Sequence, residues 1–363
     1  MKVGSRGSAL ALAQTRLVID ELERLNPGVQ CRIEVIKTTG DRISEKPPAG
    51  IGSRYASGHV LGDKGLFVKE IEAALIAGEI DFAVHSAKDL PTEMDERLCI
   101  AAFPERECPA DALVSGSCGL MDLPKGARVG TSSLRRRAQI LAARPDLEIV
   151  DLRGNLDTRL RKLDEGCCDA IVVACAGLIR MGLAGVSGEG VSGFPLRSNP
   201  ETPASRITEV LPYDICLPAA GQGALAVQCR TGDPACEIAA KLDSPVTRAC
   251  VTAERALLRT LGGGCQVPIA ALAREEGGKL RLDALVAAID GSSIIRKSAT
   301  APLLGRDNMS RPNNGASRPN NGGDLGSAEQ LGERLAGELL NSPARQLLEI
   351  ARQTGGPNDI GAA

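Results

Sequence analysis

Up to about residue 230, short apolar runs alternate with amphipathic stretches of helical length, and few folds accommodate that rhythm. Met1 to Gly4 reads as a strand, followed by a helix from about Ser8 to Leu25 that ends before Pro27. Gln30 to Thr38 is strand-like, with Cys31, Ile33 and Val35 alternating. Gly65 to Ala77 places Leu66, Ile71, Ala74 and Leu75 on one helical face, Gly78 ends it, and Phe82 to Val84 is a short buried strand. The rhythm returns with a strand at Arg128 to Gly130 and a helix from about Ser133 to Arg144. A strand from Leu147 to Asp151, a helix near Asn155 to Glu165 and a buried strand from Ala170 to Ala174 complete it. Strands alternating with helices of this length predict α/β architecture, with parallel sheets and helical faces. From about Lys241 the pattern becomes one helix, strands at Lys279 to Val286 and Ser293 to Thr300, and a final helix from about Ser327, a separate α+β domain.

At 363 residues the chain is too long for one core, so two or three domains are expected. A formal charge of −2 and an aromatic content of 2% without Trp argue against nucleic-acid binding. No apolar run reaches the length of a membrane span, and Met1-Lys2-Val3-Gly4-Ser5-Arg6 lacks the apolar region of a signal peptide, so a cytoplasmic protein is expected. The 12 cysteines are scattered, none in C-x-x-C, and only His59 and His85 accompany them, so no metal is implied. Residues 44–63, 184–205 and 305–323 read as loops; the last contains the duplicated heptamer that begins at Ser310 and again at Ser317.

Chemistry concentrates at the ends of the predicted strands. Gly130-Thr131-Ser132-Ser133-Leu134-Arg135-Arg136-Arg137 follows a strand and opens a helix, where backbone N–H groups and the helix dipole favour an anion. Cations in that first turn oppose the dipole, so the arginines need another reason to be there. Leu152-Arg153-Gly154-Asn155 with Thr158-Arg159 repeats the arrangement, Ser5-Arg6-Gly7-Ser8 does so after the first strand, and Arg180 follows a further one. Open α/β sheets bind ligands at such strand ends, so a polyanion is implied. Val84-His85-Ser86-Ala87-Lys88-Asp89 adds a carboxylate able to act as general acid or base or to stabilise a cation, although an isolated Asp more often caps a helix. Gly221-Gln222-Gly223-Ala224 is a weak dinucleotide match, since no clear strand precedes it. Finally, Gly262-Gly263-Gly264-Cys265-Gln266-Val267-Pro268 places one thiol on a glycine turn after a helix capped by Ser244 and Pro245, presenting it to a cavity.

These blocks, with Lys64-Gly65-Leu66-Phe67-Val68-Lys69-Glu70, resemble the porphobilinogen deaminase family, also called hydroxymethylbilane synthase, over nearly the whole chain. The resemblance implies two doubly wound α/β lobes like those of periplasmic binding proteins. The first would comprise residues 1–104 and 217–240 and the second 105–216; a smaller α+β domain, 241–363, would carry the cysteine. It implies head-to-tail condensation of four porphobilinogens, with ammonia released each time and hydroxymethylbilane freed by hydrolysis. The growing chain would be anchored on a dipyrromethane cofactor joined by a thioether to Cys265. Asp89 matches the catalytic aspartate. Arg6, Arg135, Arg136, Arg153, Arg159 and Arg180 match positions that bind carboxylates, and Ser8, Lys64, Ser86, Lys88, Thr131, Ser132, Ser133 and Gln222 are expected supporting contacts. A monomer with a small-molecule substrate, touching neither nucleic acid nor membrane, is expected. The three loops exceed the family's usual lengths. A non-catalytic two-lobed anion binder and a thiol-dependent transferase are the competing readings.

Overall fold

The computed structural model describes residues 1–39, 68–116, 118–184, 206–263, 267–303 and 325–354. Lys64, Cys265, and the loops at 44–63, 185–205 and 305–323 lie outside them. The first sheet runs β2 (Arg32–Val35), β1 (Lys2–Ser5), β3 (Phe82–Ser86), β10 (Leu225–Arg230), β4 (Leu98–Ala102). Strand β1 pairs in parallel with β2 and β3, whereas β10 is antiparallel to β3 and β4. Alternation along the strands sorts two faces. Val3, Phe82, Val84 and Val227 pack with Val18, Ile19 and Leu22 of α1 (Ala9–Leu25) and with α6 (Pro234–Ala240). Ala83 and Leu98 pack on the other side with Ile71 and Leu75 of α2 (Lys69–Ile76).

The second sheet repeats that plan in the order β7 (Glu148–Val150), β6 (Arg128–Gly130), β8 (Ala170–Ala174), β5 (Asp111–Ser115), β9 (Glu209–Val210). Here β6 is parallel to β7 and β8, and β5 is antiparallel to β8 and β9. Ile140 of α3 (Leu134–Ala143) covers one face, and Leu160 of α4 (Leu156–Asp164) with Leu178 of α5 (Cys175–Arg180) covers the other. Both units are doubly wound α/β lobes, but their sheets are mixed, which corrects the expectation of parallel sheets. The physical reason is connectivity: β5 and β10 each arrive from the other lobe and pair without a helical crossover.

The third unit is the antiparallel sheet β11 (Ile269–Glu276), β12 (Lys279–Ala287), β13 (Ile294–Pro302), covered by α7 (Pro245–Thr260) and α8 (Leu325–Leu340), with α9 (Ala344–Thr354) beside them. Ser244 caps α7 by accepting from the Thr247 N–H, and Pro245 stands at its start. Helices α7 and α8 approach so closely that a Cβ on Gly332 would lie 2.3 Å from the Ala253 carbonyl oxygen.

Two crossovers, residues 103–110 and 211–224, join the lobes and pack on each other. Gly223, at φ +85°, brings its backbone where a Cβ would stand 2.3 Å from the Glu107 carbonyl oxygen. Arg106 donates to the Gln222 carbonyl at 2.8 Å and forks onto Glu254 of α7 at 2.7 and 3.1 Å. Glu254, fully buried, also accepts from the N–H groups of Gly221 and Ala273. One carboxylate thereby links both crossovers to the third unit.

Candidate functional site

The chemistry-bearing residues follow the carboxyl ends of the parallel strands. In each lobe β1 or β6 has parallel neighbours on opposite sides, β2 and β3 or β7 and β8, which creates the switch point where such sheets bind ligands. Arg6 follows β1, and Ser8 caps α1 by accepting from the Ala11 N–H at 3.3 Å. Strand β3 leads into a short helical turn, Ala87–Asp89, which carries Lys88 and Asp89, both half-buried. Thr131, Ser132 and Ser133 follow β6, Arg153 follows β7, Arg159 lies on α4 and Arg180 ends α5. The lobes meet beside this region, where a Cβ on Gly177 of α5 would lie 3.6 Å from the Leu10 side chain of α1.

Electrostatics join the two halves. Burial pushes the Lys88 ammonium down to about 8; neighbouring Asp89 opposes the shift, and Arg136 of the other lobe adds to it. Burial likewise lowers Arg159 to about 10, with Arg136 adding and Asp151 and Asp89 opposing. Arg180 falls to about 10 through burial, which Glu107 counters. Such depression marks cations that have lost water without gaining full compensation. Among the described residues, Arg159 donates to the Gly154 carbonyl at 2.8 Å and Arg180 to that of Gly223 at 2.6 Å. Lys88 donates to Gln222 Oε1 at 3.4 Å. A ligand carrying several carboxylates supplies the charge these groups lack, so the donor set fits one.

Several of the expected contacts already have partners within the chain. Arg135 and Arg136 are buried and committed to Asp111: Arg135 donates to Oδ2 at 2.7 Å and Arg136 to Oδ1 at 2.7 Å. They also donate to the carbonyls of Leu217 and Val172. That buried counter-ion is the reason, missing from the sequence, why two arginines sit in a first helical turn. Ser133 caps α3, accepting from the Arg136 N–H; Thr131 Oγ1 accepts from the Ser133 N–H; Ser132 donates to the Leu152 carbonyl at 2.7 Å. Ser86 donates to Gln14 Oε1 at 3.3 Å, and Arg153 pairs with Asp151 at 2.8 Å. Gln222 donates to Pro109 O and Asp111 Oδ1 while accepting from Lys88, so it couples the cleft to the buried triad. His85 is buried and driven to about 4, chiefly by burial, with Gln228 and Asp89 opposing and Arg6 adding, so it stays neutral.

Sequence reading missed Asp111, Arg106 and Glu254. The one available signal was an acid heading the apolar run Ala112-Leu113-Val114. A carboxylate entering a core strand needs a buried cation.

Residues 1–237 match the family model described as porphobilinogen deaminase, dipyromethane cofactor binding domain, and residues 248–341 match the porphobilinogen deaminase C-terminal domain. The porphobilinogen deaminase of Pelobacter propionicus is 44% identical over 354 residues, covering 97% of both chains. That of Pelotomaculum thermopropionicum is 46% identical over 353 residues, covering 97% of this chain and 96% of its own. Among solved structures, a nutrient binding protein from Burkholderia cenocepacia bound to methionine aligns at a TM-score of 0.36 and 14% identity, covering 67% of this chain and 90% of its own, a likeness too slight to carry an argument. No helix among the described residues is long and apolar enough to cross a membrane. With both family domains matched in order and relatives this similar along nearly its whole length, the chain belongs to the porphobilinogen deaminase family.

Proposed function

We propose that this chain condenses four porphobilinogens head to tail, releasing one ammonia per addition, and frees hydroxymethylbilane by adding water. The observation that carries the reading is that under-compensated cations from both lobes, Lys88 and Arg159, share Asp89 as a neighbouring carboxylate, with Arg180 a third such cation beside Glu107. Each porphobilinogen brings two carboxylates, and Arg6, Lys88, Arg153, Arg159 and Arg180 are assigned to them. A bound dipyrromethane, joined as a thioether to Cys265, would supply the pyrrole carbon on which the product grows. Asp89 stands in the cationic cleft as its negative group: it stabilises the positive charge left on the substrate when ammonia departs and accepts the proton released at the new bond. Arg135, Arg136 and Gln222 hold the wall of the cleft through Asp111. Three sheets support three domains, with boundaries near residues 104, 216 and 240.

The first test is the denatured intact mass, with Ehrlich's aldehyde reagent for pyrroles, on the chain as isolated and on Cys265→Ala. A pyrrole-positive adduct in the parent alone is the expected result. An unmodified parent that stays unmodified after incubation with porphobilinogen overturns the reading.

Charge on Lys88 provides a pH signature. The group is charged below about 8 and neutral above it. Carboxylate binding therefore weakens as pH rises through that value, with the limb displaced upward by bound substrate. The KM for porphobilinogen should climb above about pH 8, while Lys88→Arg, whose guanidinium stays charged, should move that limb up by a unit or more. Superimposable KM profiles would remove Lys88 from substrate binding.

A further inference from the structure

Cys99 on β4 stands opposite Cys229 on β10 in antiparallel register, and residues so paired project to one face of the sheet. Helix α6 packs there and carries Cys236 to within 3.5 Å of the Cys99 sulfur. Cys236 donates to the Arg230 carbonyl at 3.0 Å, and Cys99 approaches the same oxygen at 4.0 Å. Cys229 is fully buried, whereas Cys99 and Cys236 are partly exposed. The pair lies at the far end of the sheet from the cleft: Cys229 registers with Phe82, the first residue of β3, while Asp89 follows the last.

We propose that Cys99 and Cys236 form a redox site that closes to a disulfide by exchange with an oxidised low-molecular-weight thiol such as glutathione disulfide. The Cys236 thiolate attacks one sulfur of the glutathione disulfide, expelling one glutathione. Cys99, as thiolate, then attacks the Cys236 sulfur of the mixed disulfide and expels the second. Two protein thiols are oxidised, one glutathione disulfide is reduced, and the two protons leave on the two glutathiones. The sulfurs must close from contact to bond length, a change on the scale of a side-chain rotation. Contact with Cys229 raises the Cys236 thiol to about 11, and contact with Cys236 holds the Cys99 thiol higher still. Exchange is thus slow near neutrality and accelerates with pH.

The bond would close a loop spanning 137 positions of sequence and staple β4 to α6. Both elements run directly into the junction with the third unit, where the Phe103 N–H donates to Asp243 at 2.7 Å and the Ser244 N–H to the Phe103 carbonyl at 2.8 Å. Incubation of the full chain with glutathione disulfide at about pH 8.5, followed by alkylation and non-reducing peptide mapping, tests the proposal. A Cys99–Cys236 cross-link is expected, with a rise in Tm of about 3 °C or more that dithiothreitol reverses. It should be absent from Cys99→Ser and Cys236→Ser and retained in Cys229→Ser. Recovery of both residues as free or glutathione-capped thiols overturns the proposal. So does a cross-link through Cys229, or one that leaves melting unchanged.

Discussion

Asp89→Ala should lower the rate of ammonia release from porphobilinogen by about 10²- to 10⁴-fold with little change in Tm. The side chain is half-buried on the turn after β3, so its removal opens no core cavity. Its charge matters more than its packing. It is the largest influence opposing the depression of Lys88, and it is the only carboxylate on the turn that enters the cleft. The loss belongs in kcat, because the positive charge Asp89 would stabilise exists only once the amine is leaving. Asp89→Asn keeps the shape and should be nearly as slow. Turnover within threefold of the parent in either variant would take Asp89 out of the chemistry.

A different kind of loss is expected of Asp111→Ala. Asp111 is fully buried and accepts from Arg135, Arg136 and Gln222. Removing it strands two guanidiniums in the core, and breaking a buried pair costs about 3–5 kcal/mol. Here that corresponds to a fall in Tm of roughly 10 °C. Burial alone would raise the Asp111 carboxyl, but the two arginines outweigh it and hold the group well below the usual carboxylate range. A carboxylate whose value is depressed in the folded state contributes stability above its unfolded value, near pH 4. That contribution is lost as pH falls toward the folded value. Parent and variant should therefore differ fully at neutral pH and converge in strong acid. Equal melting temperatures at neutral pH would refute the triad's structural role.

The sequence made the strands with clean apolar runs visible, and the strand at Ala170–Ala174 coincides with the buried strand read from its apolar run. The cap at Ser244 was legible too, and Ser8 and Ser133, read as the starts of their helices, prove to cap them as well. What stayed hidden depends on residues far apart in the chain. Leu225–Arg230 reads as an unremarkable apolar stretch after a glycine turn, and only its pairing with β3 and β4 makes it a strand. The basic run at Arg135 and Arg136 was visible, but its partner lies 24 positions upstream for Arg135, on a strand contributed through a crossover. Local pattern reports propensity and amphipathicity; it carries no information about which buried charge meets which.

The position of β10 has a consequence for how this protein is made. It lies between β3 and β4, yet it follows the entire second lobe in sequence. During synthesis the first lobe therefore waits with a strand-wide gap, the facing edges of β3 and β4 unpaired, until residue 230 has left the ribosome. Unpaired edges of this kind are sticky, and contacts so distant in sequence form slowly. The second lobe, whose strands all lie between residues 111 and 210, can close its sheet earlier. The order of assembly thus inverts the order of the chain: the half that begins first is finished last, and premature termination anywhere before β10 releases an open sheet in need of a chaperone.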